Sequence, residues 1–192
     1  MIYMCLADGF EEVEALAPLD LLRRAGAKIY TVRIGEGKTA LGAHGIKILC
    51  DLAEAEADPA LPDMLILPGG MPGASNLDAS DLVDKTIKQI QKKGGRLAAI
   101  CAAPMILGRR GILEGKHAVC FPGFEKELLG ARIEESAGVV TDGCVTTAKG
   151  MGVAFAFGIE LVRVLYGQEK AYALRDATMR SFAECTAIYH DA

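Results

Sequence analysis

Apolar residues along this chain come in short solid blocks, separated by stretches in which they recur at helical spacing. The blocks predict strands at Ile2–Leu6, Lys28–Val32, Ile46–Leu49, Met64–Leu67, Arg96–Ile100, Ala118–Cys120 and Cys144–Thr147. Runs such as Met64-Leu65-Ile66-Leu67, apolar at every position, suit strands covered on both faces. The intervening stretches predict helices. Asp8 with Glu11 three residues later has the spacing of a capping box, opening a helix to about Ala25 that Gly26 ends. Ser80 caps a second helix, buried through Leu82, Val83, Ile87 and Ile90 and stopped by Gly94. Val153 to Tyr166 is apolar around most of its circumference, which predicts a deeply packed helix ended by Gly167. Gln168 to Thr178 forms a last helix. Strands alternating with helices predict an α/β fold with a mostly parallel sheet. No repeat, low-complexity stretch or linker divides the chain, so its 192 residues read as one domain, 1–192.

Composition narrows the class of partner. A net charge of −4 offers no basic excess to grip phosphates, which speaks against nucleic acid. No apolar stretch approaches the ~20 residues of a membrane span. The apolar start, Met1 to Ala7, is short and lacks a basic leader, so it reads as a first strand. A cytoplasmic location is expected. The six cysteines, Cys5, Cys50, Cys101, Cys120, Cys144 and Cys185, are scattered without a Cys-x-x-Cys pair and are expected to be reduced. His44, His117 and His190 show no metal-ligand spacing, and no metal or other cofactor is expected.

Three loops fall just after apolar strands: Asp8–Glu14, Pro68–Gly73 and Cys101–Pro104. If those strands are parallel, all three crowd the carboxyl edge where open α/β sheets bind ligands. Cys101 stands between strand and helix in Ala98-Ala99-Ile100-Cys101-Ala102-Ala103-Pro104. Ala99 and Ala103, two positions either side, meet the steric need of a strand–turn–helix elbow. At a helix N-terminus, unpaired N–H groups and the dipole favour a thiolate. The alternative is a buried structural cysteine. Glu14 lies early in the first helix, four residues before Pro18. Proline leaves the Glu14 carbonyl without its helical partner, so an irregular helix is expected there. A buried Glu14 near the thiol would have a raised pKa and could act as general acid and base. Glu11 and Glu12 read as surface acids favoured by the helix start. Gly69 and Gly70 allow a tight bend whose N–H groups could face an oxyanion, although an ordinary turn explains the segment alone. It is neither a P-loop nor a dinucleotide fingerprint.

Gly9-Phe10-Glu11-Glu12-Val13-Glu14, Leu67-Pro68-Gly69-Gly70 and the Cys101 segment, in this order, resemble the ThiJ/PfpI superfamily, and within it the DJ-1 clade and its bacterial YajL-like members. The resemblance runs from the first strand to the Val153–Tyr166 helix. It implies a flavodoxin-like three-layer sandwich, usually a homodimer. It implies that Cys101 is the reactive, oxidisable cysteine, Glu14 its protonated partner, and Gly69, Gly70 and the Ala102 backbone the lining of an oxyanion site. Members are described as glyoxalase III, protein deglycase, redox-regulated chaperone and peroxide sensor.

Four departures bear on chemistry. Ala102 stands where the protease-like branch carries a histidine after its cysteine, and Phe121 where many members carry another. A thiol–imidazole pair for cutting peptides is therefore missing, and a cysteine peptidase is the less favoured reading. His44 or Gly45 stands in place of an anion-binding arginine. Gly150-Met151-Gly152 replaces a Gly-Pro-Gly that approaches the partner's site. The expected function is a cofactor-independent glyoxalase III or deglycase acting on 2-oxoaldehydes or glycated groups through Cys101 and Glu14. The alternative is a redox sensor or oxidation-regulated chaperone using the same cysteine. The tail from Met179 to Ala192, with Cys185, Tyr189 and His190, would pack on the domain or on a partner.

Overall fold

The strands of the computed structural model, which describes residues 1–178, are β1 (Ile2–Ala7), β2 (Ile29–Ile34), β3 (Thr39–Leu41), β4 (Lys47–Leu49), β5 (Met64–Leu67), β6 (Arg96–Ile100), β7 (His117–Ala118), β8 (Arg132–Ile133), β9 (Val139–Asp142) and β10 (Val145–Ala148). The helices are α1 (Glu12–Arg24), α2 (Gly73–Asp78), α3 (Asp81–Lys93), α4 (Pro104–Arg109), α5 (Ala154–Tyr166) and α6 (Gln168–Thr178). The tail expected to pack on the domain or a partner lies outside the described residues.

One six-stranded sheet, ordered β2-β1-β5-β6-β10-β9, organises the chain. Every neighbouring pair is parallel except β10 with the edge strand β9. Counted along the parallel strands alone the order is 2-1-3-4-5, the doubly wound flavodoxin-like arrangement. Alternate residues of each strand serve opposite cores. Tyr3, Cys5, Leu65, Leu67, Leu97 and Ala99 face a layer containing α3 and α4. Ile2, Met4, Leu6, Ile66, Ala98 and Ile100 face α1 and α5. Two buried faces explain the solid apolar blocks of the central strands.

Two strand expectations are corrected. Ile46–Leu49 yields β4, which pairs only with β3 in a separate hairpin. Leu49 is exposed there and Ile48 half-buried, so the block serves a peripheral ribbon. Ala118–Cys120 shrinks to β7, paired in parallel with β8 outside the main sheet. The helices hold more closely. Ser80 Oγ accepts from the Val83 N–H, and Gly94 ends α3 in the left-handed conformation. α5 is not buried all round: Phe157, Gly158, Leu161 and Val162 pack inward while Ala156 and Tyr166 stay exposed. One face meets the sheet and α1, and α6 covers only part of the rest.

Pro18 does not break α1, which runs through it without interruption. Its ring is used for packing. A Cβ on Gly158 would stand 2.9 Å from Pro18 Cα and 2.6 Å from Leu21 Cδ1, so α1 and α5 meet at a contact that only glycine allows.

Candidate active site

Cys101 is the only non-glycine residue with positive φ among the described residues, at +66°. That conformation costs a side-chain-bearing residue about 1–2 kcal/mol. The surroundings hold it. Its N–H donates to the Ala148 carbonyl at 2.9 Å, and its own carbonyl accepts from the Phe121 N–H at 2.8 Å. Buried Ala99, Ala102 and Ala103 leave room for the turn, and Pro104 occupies the first position of α4. The half-buried thiol thus stands at the carboxyl end of a central parallel strand. Cys101→Gly should relieve this strain. We expect it to be more stable than Cys101→Ala by about 1 kcal/mol in urea denaturation. Equal stability of the two variants would show an unstrained elbow.

Glu14 comes from the first turn of α1 and is only 1% exposed. Its Oε2 accepts from the Gly69 N–H at 3.0 Å, and its carboxyl also meets the Met151 N–H and the Cys101 thiol. Burial raises it to about 7; the Glu11 charge adds to the rise, and the three hydrogen bonds oppose it. Cys101 is pushed up to about 12, first by burial and then by the Glu14 carboxylate, against N–H groups of Gly70 and Ala102 at the sulfur. α4 has only six residues, and burial beside a carboxylate opposes the pull of its N-terminus on the thiol. The two acids share a proton over a broad pH range. When Glu14 holds it, the carboxyl O–H can donate to a thiolate and the repulsion is gone.

Glycine is required at the loop between them. A Cβ on Gly69 would stand 2.6 Å from both Glu14 Oε2 and Cys101 Cβ. Gly69 commits its N–H to Glu14 and its carbonyl to the Glu11 N–H at 3.0 Å, whereas Gly70 and Ala102 direct theirs at sulfur. The sequence-predicted residues Cys101, Glu14, Gly69, Gly70 and Ala102 thus meet in one place. The backbones of Met151 and Phe121 also reach it and were not foreseen. A signal for the first was present in Gly150-Met151-Gly152.

The neighbouring acids depart from expectation. Glu11, not Asp8, caps α1, accepting from the Glu14 N–H at 2.7 Å. Asp8 instead binds Arg33 Nη2 and the Leu41 N–H, each at 2.8 Å. Glu12 is buried rather than a surface acid, because its Oε1 accepts from the His44 N–H at 2.8 Å and its Oε2 lies 2.9 Å from His44 Nδ1. His44 is exposed and its pKa raised by that hydrogen bond. Glu11, Glu12 and His44 form the one metal-like cluster among the described residues, yet both carboxylates are already engaged in holding the helix start and the hairpin. The five described cysteines are free thiols, and no described helix is long and apolar enough to cross a membrane.

A strained cysteine at a strand–helix elbow, paired with a buried carboxyl in a doubly wound sandwich, defines a cysteine–carboxyl α/β protein. The chain belongs to the DJ-1/PfpI family, whose family model matches residues 1–164. It is 37% identical over 168 residues to Protein DJ-1 homolog B of Arabidopsis thaliana, covering 86% of this chain and 38% of that one. The chain thus spans well under half of that relative. A deglycase of Pyrococcus abyssi is 30% identical over 160 residues, covering 83% of this chain and 95% of its own. Among solved structures, oxidized Toxoplasma gondii DJ-1 superimposes with a TM-score of 0.88 at 28% identity, covering 93% and 97% of the two chains.

Proposed function

We propose that this chain is a cofactor-independent glyoxalase III-type lyase or deglycase acting on 2-oxoaldehydes and their adducts. The observation that carries this reading is the buried Glu14 carboxyl, 1% exposed, set against the Cys101 thiol across Gly69. The Cys101 thiolate adds to the aldehyde carbon, and Glu14 gives its proton to the new alkoxide, forming a hemithioacetal. Glu14 then removes the proton from that carbon and returns one to the neighbouring carbon, while the hydroxyl proton passes to the former keto oxygen, leaving a thioester. Water cleaves the thioester, releasing a 2-hydroxy acid and the thiol. The net change adds one water to methylglyoxal to give lactate and requires no oxidant. Gly70 and Ala102 would hold the negative oxygen as it forms, with Gly69 positioning Glu14. The same attack on a hemiaminal of methylglyoxal would release its amine, which is deglycation. We also propose a single-domain, cytoplasmic homodimer, the dimer in keeping with the family, and light scattering that returned the mass of one chain would overturn the dimer.

The proton shuttle is tested in heavy water without glutathione. Lactate should carry deuterium at C2, because the carboxyl exchanges with solvent. Lactate formed without deuterium would indicate hydride transfer between the two carbons and contradict the role given to Glu14.

A second reading, an oxidation sensor, is favoured by the N–H groups of Gly70 and Ala102 at the sulfur, which suit sulfinate oxygens. Mild peroxide should then add two oxygens at Cys101 before any other cysteine reacts. Even oxidation of Cys101 and the exposed Cys144 would remove this reading.

A further inference from the structure

Next to the cysteine and its carboxyl partner lies a hollow of about 390 Å³ walled by Phe121, Pro122, Met151 and Val153, with Lys149 its only charged lining residue. Phe121 is 48% exposed and Met151 54%, so two large apolar side chains are held open to solvent at this spot. Both are tied to the reactive pair through their backbones. The Phe121 N–H donates to the Cys101 carbonyl at 2.8 Å, and the Met151 N–H faces the Glu14 carboxyl. Gly150 forms the seam. A Cβ there would stand 3.2 Å from Phe121 Cδ2 and 3.9 Å from Glu14 Oε1, so the aromatic wall and the carboxyl lie on either side of one residue.

We propose that this hollow is a specificity subsite that receives an apolar, preferably aromatic, substituent on the keto carbon of the substrate. This rests on the lyase reading above. A substrate whose aldehyde carbon is bonded to Cys101 and whose keto carbon receives a proton from Glu14 extends its next substituent past Glu14, toward Gly150 and Phe121. The hollow has room for a ring or one amino-acid side chain and is too small for a helix or a strand. Its walls offer ring faces, a thioether and methyl groups, which reward apolar area and stacking. They offer little to a polar substituent.

The test compares kcat/KM for phenylglyoxal and for glyoxal in the wild type, Phe121→Ala and Met151→Ala. The ratio should favour phenylglyoxal in the wild type and fall about tenfold in Phe121→Ala. A second measurement does not need turnover: the rate of Cys101 alkylation by N-phenylmaleimide relative to N-methylmaleimide, each normalised to free cysteine. That ratio should also favour the phenyl reagent by about tenfold and collapse in Phe121→Ala. If neither aldehyde is converted but the alkylation preference stands and depends on Phe121, the lyase reading fails and the subsite survives. If both aldehydes are converted while the alkylation ratio is the same in all three proteins, the subsite is overturned and the lyase reading survives. A change in oligomeric mass with an unchanged alkylation ratio would make the hollow a contact with a second copy, and would also overturn it.

Discussion

Glu14→Gln is expected to lower methylglyoxal turnover by about 10²–10⁴-fold, the usual contribution of a positioned acid–base group. The variant is close to isosteric. Its amide oxygen can still accept from the Gly69 N–H, and its NH₂ can still reach the sulfur. What it lacks is a proton that can be lost and regained. The wild-type rate should rise as pH climbs through about 7, where the Glu14–Cys101 pair loses its first proton, and this limb should vanish in the variant. Stability carries the same signature. An ordinary glutamate titrates near 4.5 and folded Glu14 near 7, so between those values the folded chain binds more protons than the unfolded one. The Glu14 contribution is therefore fully present below about 4.5 and is lost as pH rises to about 7, on the order of 3 kcal/mol for the full shift. Urea denaturation across this window should show that slope in the wild type and its loss in Glu14→Gln. An unchanged slope, or an unchanged rate, would mean that Glu14 does not hold the shared proton.

Gly70→Ala should be strongly damaging. Gly70 sits at φ +85°, where a side chain costs about 1–2 kcal/mol by itself. Its Cβ would also fall 2.5 Å from the Gly9 carbonyl oxygen and 2.7 Å from the Phe10 carbonyl carbon, and against the Glu11 N–H. These are backbone atoms at the junction of β1 and α1, which no rotamer change can move. The expected loss is about 3 kcal/mol or more. Gly111→Ala is the control, because Gly111 shares the positive φ but has nothing within 4 Å of its Cβ position. It should lose only about 1 kcal/mol. Equal losses in the two variants would show that the loop can give way, and that the Gly70 N–H is not held rigidly at the sulfur.

The parallel core and the reactive corner could be read from the chain because local rules and burial agree there. Met64–Leu67 and Leu97–Ile100 are apolar because both sheet faces are covered, and Ala99, Ala103 and Pro104 mark the elbow around Cys101. What escaped depends on residues far apart in sequence. Glu12 follows the surface-acid pattern of a helix start, and only His44, thirty-two positions away, shows why it is buried. The sign of the Cys101 shift depends on burial and on Glu14 together, which the local helix rule does not weigh. β9, four residues long, joins the sheet only through the tight Gly143-Cys144 turn that returns the chain into β10. Ile46–Leu49 shows that a block of apolar residues does not say which sheet it joins.

The most direct measurement is lactate formation from methylglyoxal, without glutathione, by the wild type and Cys101→Ala side by side. The account predicts steady turnover by the wild type and background rates from the variant, with both proteins folded. Equal rates, or no turnover by the folded wild type, would contradict it.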